Sequence, residues 1–227
     1  PVGSSAASQC SNGNLEYYNG TTSSWRSGVS TFAVSSGKWY FEAKFTSFPA
    51  SSAAFVGISR DTVQWVNNVS HFGQSSAVLS YGYYSGNGKI YDSSSSFTYG
   101  ASYTTNDVIG CALDLDAGTL RFYKNGVDQG QAVSGLTGTW NVGVSSLDTP
   151  AVVNFGQRAF AYTPPTGFKA LNTSNLPAPT VKDGSDYFNT SLWTGTGSPV
   201  AVTGIGFQPD LVWVKARSRT ADHKLQD

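Results

Sequence analysis

The sequence predicts an all-β chain, and three observations carry that expectation. Ser, Thr and Gly make up roughly a third of the 227 residues, and aromatic residues a further 14%, while helix formers are scarce, with no Met and two Glu. Thr, Val and the aromatic residues favour strands; Ser, Gly and Asn favour turns. The second observation is strict alternation of apolar and polar residues over several short runs. The third is a set of tight-turn signals, such as Asn125-Gly126, placed between those runs. Together they describe a β-sandwich or β-barrel.

The elements follow in chain order. Residues 1–12 are Ser- and Ala-rich and are expected to be a flexible lead-in. The clearest strand spans Lys38 to Thr46: Trp39, Phe41, Ala43 and Phe45 share one face, and Lys38, Tyr40, Glu42 and Lys44 the other. Period two with apolar residues on one side predicts a half-buried antiparallel strand. Ala54 to Ile58 reads as the next strand, and 62–77, which lacks a clean period, as a long loop. Leu79 to Tyr84 is a strand, followed by a Ser85-Gly86-Asn87-Gly88 turn and short segments at 89–91 and 93–96. Val108 to Leu115, a turn at 116–118, Thr119 to Lys124 and the Asn125-Gly126 turn predict a three-strand meander. Thr139 to Ser145 and Ala151 to Phe155 supply two more strands. Prolines 164, 165, 177 and 179 then break regularity, and 171–180 reads as a linker. Tyr187-Phe188, Val200 to Val202 and Leu211 to Val214 look like the first strands of a second β unit over 181–227. That unit is too small to close a core alone and is expected to pack on something else. A chain without Met, even at position 1, also reads as a piece of something longer.

Charge narrows the function classes. Lys+Arg and Asp+Glu each number 14, and only 12% of residues are charged. No basic block is present to displace counterions, so nucleic acid is not an expected partner. No apolar run reaches the ~18 residues of a spanning helix, so membrane insertion is not expected either. Cys10 and Cys111 read as free thiols, Cys111 as a small core residue. The separated His71 and His223 make no metal site or nucleophile site, and no cofactor is expected. Asp114 and Asp116 lie on one strand face, but without a ligand loop they read as turn caps. Glu16 and Glu42 have no identifiable partner, and a glycosidase would need two acids within about 5–10 Å.

The remaining feature is aromatic. Trp65, His71, Tyr81, Tyr83, Tyr84 and Tyr91 come from expected loops and strand ends, and they are the candidate ligand-binding residues. Rings stack on sugar C–H surfaces and anchor protein interfaces. If the face shared by Tyr81 and Tyr83 is buried, those two belong to the core instead.

Several segments resemble one family. Ser36 to Glu42, Phe55 to Ile58, Asp107 to Asp114, Gly118 to Gly126 and Val153 to Gln157 are similar, in order, to strands of the SPRY (B30.2-like) domain. The resemblance covers roughly residues 13–168 and implies a concanavalin-like antiparallel β-sandwich, a domain over 13–170. The tail adds a second likeness. Asp186 to Thr190, Trp193 to Gly195 and Gly206 to Lys215 resemble a module that follows SPRY-type domains in tailed-phage virion proteins. The resemblance therefore implies a non-enzymatic virion surface or tail-fibre protein with a partial C-terminal β module. Its partners would be neighbouring virion subunits in a homo-oligomer, and host-surface glycan or protein. A polysaccharide-degrading tail enzyme and a cellular SPRY adaptor binding peptides are the rivals, and the tail counts against the adaptor.

Overall fold

Strand periodicity places one face of each sheet toward a partner sheet, and the observed order of strands shows how. The computed structural model describes residues 2–3, 8–20, 24–31, 33–60, 71–74, 79–93, 95–176 and 180–227. The chain divides into two units, Pro1–Leu176 and Pro177–Asp227. In the first unit the strands are β1 (Val2–Gly3), β2 (Ser8–Ser11), β3 (Glu16–Asn19), β4 (Arg26–Val29), β5 (Lys38–Phe45), β6 (Ala53–Ser59), β7 (Ser80–Tyr84), β8 (Ile90–Asp92), β9 (Ser95–Phe97), β10 (Val108–Asp114), β11 (Thr119–Lys124), β12 (Val127–Val133), β13 (Asn141–Leu147), β14 (Ala151–Asn154) and β15 (Lys169–Ala170). Among the described residues they form two sheets. One runs β1-β4-β13-β6-β7-β8-β9; the other runs β12-β11-β10-β5-β14-β3-β2, with β15 alongside β5.

The inner faces make the core. Phe41, Cys111 and Phe122 lie side by side across β5, β10 and β11, as do Trp39, Leu113 and Leu120. They face Val56, Val144 and Tyr83, which line up across β6, β13 and β7 of the other sheet. The rings of Tyr83 and Phe122 are 5.3 Å apart. All of these residues join one buried cluster. Among the described residues neither Cys10 nor Cys111 takes part in a disulfide, and burial pushes the Cys111 thiol well above its ordinary range.

Local chemistry explains the β10–β11–β12 meander. Asn125 and Gly126 have φ of 49° and 80°, the two positive values a type I′ hairpin turn requires. Asn125 Oδ1 accepts from the Val108 amide at 2.9 Å, and its Nδ2 donates to Asp107 at 2.7 Å. Asp114 caps the other turn by accepting from the amides of Asp116 and Ala117, and pairs with Lys38 at 2.9 Å. Asp116 accepts from Gly37 N at 2.7 Å. Both acids are thereby committed to turns.

Two expectations need correction, and the 1–12 lead-in holds two short strands among its described residues. Within the 1–12 segment, Val2–Gly3 pairs with β4 and Ser8–Ser11 with β3. Backbone pairing needs no side-chain period, so a Ser-rich edge strand leaves no pattern to read. The outer face of β5 is also not solvated: Tyr40 and Glu42 are buried, and only Lys44 stays exposed. The segment after β14 lies over them. Phe160 packs edge-on against Tyr40 at 5.0 Å. The Glu42 carboxylate accepts from the amides of Ala161 (2.8 Å) and Tyr162 (2.9 Å) and from the Tyr40 hydroxyl (3.2 Å). Alternation reports where apolar residues point, not whether a later segment covers the polar face.

The second correction concerns the second unit, taken by itself. Its strands are β16 (Val212–Val214) and β17 (Lys224–Gln226), paired antiparallel. Tyr187-Phe188 follow a short 3₁₀ turn, and Val200 to Val202 form no strand. None of its described side chains is buried; Tyr187, Phe188, Leu211 and Trp213 are all exposed. Strand propensity without a neighbouring strand does not produce a ladder. The Trp213 indole N–H donates to His223 Nδ1 at 2.7 Å across this hairpin.

The Glu42 latch yields a test. Glu42→Ala strands two backbone amides and a tyrosine hydroxyl in a covered site. Urea denaturation should show a loss of about 2–4 kcal/mol, whereas exposed Val127→Ala should stay within about 0.5 kcal/mol of the parent. Equal stability of the two variants would contradict the latch.

Candidate functional site

The outer face of the first sheet is where rings gather, and the register explains why. One cross-strand row reads Val29, Gly143, Gly57, Gly82, Tyr91 and Ser96, from β4 to β9. The adjacent row reads Ser27, Ser145, Phe55 and Tyr84. Three consecutive glycines leave a trough in the sheet surface, and the Phe72 side chain fills it. A Cβ at Gly57 would come within 2.7 Å of the Phe72 ring, one at Gly82 within 2.7 Å of Phe72 Cβ, and one at Gly143 within 3.1 Å of the ring edge. Phe72 is fully buried.

The turn that carries Phe72 is pinned from both sides. The Phe72 amide donates to Ser145 Oγ at 3.2 Å, and the Gly73 amide to Ser80 Oγ at 2.9 Å. Ser145 Oγ also lies 2.7 Å from Ser27 Oγ. Gly73 has φ of 76° and runs against the Tyr91 backbone, where a Cβ would sit 2.3 Å from the carbonyl oxygen. This seats His71 on the second row. Its ring stacks on Phe55 at 4.3 Å and 7°. Trp25 lies edge-on to His71 at 4.9 Å, and Tyr91 at 5.8 Å. Phe55 is the hub, with Tyr84 stacked at 4.7 Å, Trp25 at 5.1 Å and Tyr91 at 5.2 Å.

The hub and the filler are buried, while Trp25, His71, Tyr84 and Tyr91 are each partly exposed. The result is a closely packed patch of four partly exposed rings. His71 Nδ1 is 2.9 Å from the Phe72 carbonyl oxygen, a contact that places the neutral-form proton on Nδ1. Burial lowers the His71 pKa, an effect the Phe72 hydrogen bond partly opposes. The patch offers aromatic faces and polar ring edges, the chemistry that recognises peptide side chains or sugar faces.

Of the six ring residues expected from sequence, His71, Tyr84 and Tyr91 come together here. Trp65 lies outside the described residues. Tyr83 is a correction: it is buried in the inter-sheet core, and burial pushes its hydroxyl pKa up to about 12. That hydroxyl donates to the Ala101 carbonyl. Tyr81 is half-buried on the same inner face, 5.8 Å from Trp140. Strand alternation sends 81 and 83 inward and 84 outward at the strand end. Sequence reasoning missed Trp25, Phe55 and Phe72. The usable signal was Phe55, the large residue out of phase with Ala54, Val56 and Ile58, together with glycines at matching register positions. The candidate acids are occupied structurally: Glu16 accepts from Ser11 and Asn12, and Glu42 holds its latch.

Comparison with known proteins adds the family context. Residues 38–158 match the SPRY domain model, and residues 183–227 match a domain of unknown function, DUF7483. Curated relatives include the Ran-binding proteins 9/10 homolog of Drosophila melanogaster, 31% identical over 131 residues, which are 56% of this chain and 13% of that protein. The ATP-dependent RNA helicase DDX1 of Xenopus laevis is 30% identical over 155 residues, covering 65% and 19%. Ran-binding protein 10 of Danio rerio is 33% identical over 130 residues, covering 56% and 20%. The chain thus spans at most a fifth of the length of these relatives. Among solved structures, the SPRY domain of human HERC1 superposes with a TM-score of 0.56 at 20% identity, covering 70% of this chain and 97% of that one. A further human SPRY domain gives 0.50 at 15%, covering 67% and 98%. These two likenesses concern fold alone.

The His71 stack makes stability depend on pH. A histidine whose folded pKa is depressed keeps its full contribution above the unfolded value of 6.5 and loses it as pH falls through the folded value. The melting temperature should therefore fall as pH drops below about 6.5, and His71→Phe, which keeps a ring in the stack, should flatten that slope. Depressed Asp107 and Asp114 act in a separate, more acidic window, below about pH 4. An unchanged slope in His71→Phe would place the titration elsewhere.

Proposed function

The chain belongs to the SPRY domain family, with the match running over residues 38–158, and from that premise we propose that it works as a protein-interaction module. The proposed surface is the patch of Trp25, His71, Tyr84 and Tyr91, and the ligand an uncharged or weakly charged peptide segment with an apolar or aromatic anchor. One observation carries this reading. Four rings stay partly exposed on an outer sheet face although their inner edges are packed around Phe55. Aromatic side chains held rigid before binding lose little conformational entropy on contact, which is why they dominate interface energetics. The commitment of the described candidate acids to turns and a latch supports a binding role rather than hydrolysis. The curated relatives from fly, frog and zebrafish favour a cellular adaptor over other settings.

A second reading keeps the module on a phage virion, where the same patch would touch host-surface glycan or protein. Residues 181–227 would then pack on neighbouring copies. Its support is the resemblance of the tail, inside the segment matched by the second family model, and the lack of any buried side chain there. A monomer in sedimentation velocity would remove the packing part of this reading.

Panning the whole chain against a random peptide library tests the adaptor reading. Enriched peptides should bind, and Tyr84→Ala and Tyr91→Ala should each weaken them about tenfold or more. Exposed Val127→Ala should bind as the parent does. Enriched peptides indifferent to both tyrosines would overturn the assignment of the surface. Binding on a glycan array that disappears in Tyr84→Ala, with no peptide enriched, would replace the peptide with a sugar.

A further inference from the structure

The sequence holds four Asn-Gly pairs, at 12–13, 19–20, 87–88 and 125–126. This dipeptide is chemically self-reactive, because glycine puts no side chain between the main-chain nitrogen and the asparagine amide. Whether it reacts in a folded protein depends on what holds the two groups. The fold treats the four pairs differently.

Asn19 is fully buried, and its Nδ2 donates to the carbonyls of Ser24 (2.9 Å) and Ser146 (2.7 Å). Asn125 has both amide atoms engaged, by Val108 N and Asp107, inside the β10–β11–β12 meander. At Asn87, Oδ1 accepts from Lys89 N, and the attacking nitrogen itself is tied, since Gly88 N donates to the Tyr84 carbonyl at 3.0 Å. Gly88 is also hemmed in: a Cβ there would lie 2.0 Å from the Gly100 carbonyl oxygen. Asn12 is the exception. It is exposed; among the described residues its side chain donates to Glu16 on the surface at 3.2 Å, its main-chain carbonyl accepts from the Leu15 amide at 3.3 Å, and around Gly13 a Cβ would meet nothing within 4 Å. The pair sits in the turn between β2, an edge strand, and β3, with positive φ at Asn12, Gly13 and Asn14. Reorienting such a turn opens no core.

We infer that Asn12-Gly13 is a site of spontaneous deamidation, and that the fold protects the other three pairs. Solvent base removes the Gly13 amide proton, and the nitrogen attacks Asn12 Cγ. The new C–N bond closes a five-membered succinimide, and the Asn12 side-chain nitrogen leaves as ammonia. Water then opens the ring. Cleavage at the former side-chain carbonyl gives aspartate, and cleavage at the main-chain carbonyl gives isoaspartate, with the chain rerouted through the side chain. Net, one water is consumed and one ammonia released. The product carries a new negative charge beside Glu16, where the amide had been a donor. Two carboxylates then face each other across the β2–β3 turn, and the edge strand loosens.

Peptide mapping by tandem mass spectrometry, after incubating the whole chain at mildly alkaline pH, tests this. In the native protein Asn12 should convert about tenfold or more faster than Asn87, Asn125 or Asn19. In urea the four rates should converge. Asn12→Gln, which keeps the donor but closes a ring far more slowly, should abolish the leading acidic species on ion exchange. Conversion at Asn87 or Asn125 ahead of Asn12, or the same ranking with and without urea, would overturn the inference.

Discussion

Everything in the first unit depends on two sheets burying one face each against the other, with Tyr83 of one sheet 5.3 Å from Phe122 of the opposite one. Period two makes this unavoidable: a strand that sends Phe41 inward must send Tyr40 and Glu42 outward. The core therefore leaves two outer faces to be dealt with, and the molecule deals with them by different chemistry. Over the second sheet, a returning segment is tied down by a carboxylate, with Glu42 taking two consecutive main-chain amides. Over the first sheet, a row of glycines makes room for Phe72, and aromatic rings close around Phe55.

The difference between those two covers is what separates scaffold from surface. The Glu42 latch finishes a face by burying it. The Phe55 cluster finishes its face only in part, since its four outer rings keep area in contact with solvent. Their positions are set by sheet register and by two serine hydroxyls that hold the 71–74 turn. A surface built in this way is rigid on the sheet side and open on the other. That is the arrangement a recognition patch needs, because little ordering remains to be done when a ligand arrives.

Legibility in the sequence followed the range of the interaction. Lys38–Phe45 and the Val108–Lys124 hairpin were readable because alternation and turn chemistry are local, and Asn125-Gly126 needs positive φ at both positions in any context. The candidate patch was half readable. His71, Tyr84 and Tyr91 stood out as aromatic or titratable groups near loops. Tyr83 stood out equally and is core, because strand phase, not residue type, decides the face. Trp25 and Phe72 were invisible, since each matters only through a neighbour far away in the chain. Tyr187-Phe188 and Val200 to Val202 had the composition of strands without a partner to pair with.

By itself, then, the sequence determined an all-β chain and the positions of its strongest strands and turns, while the likeness to one family singled out the sandwich. Those features rest on contacts between near neighbours and on backbone preferences, which a linear reading contains. Tertiary structure alone decided that Gly57, Gly82 and Gly143 form one row, that Phe72 fills it, and that His71 therefore lies flat on Phe55. It also decided which of four identical dipeptides is left open to its own chemistry. Register between strands distant in sequence is the reason: it is set by how the whole sheet packs, and no window along the chain holds that information.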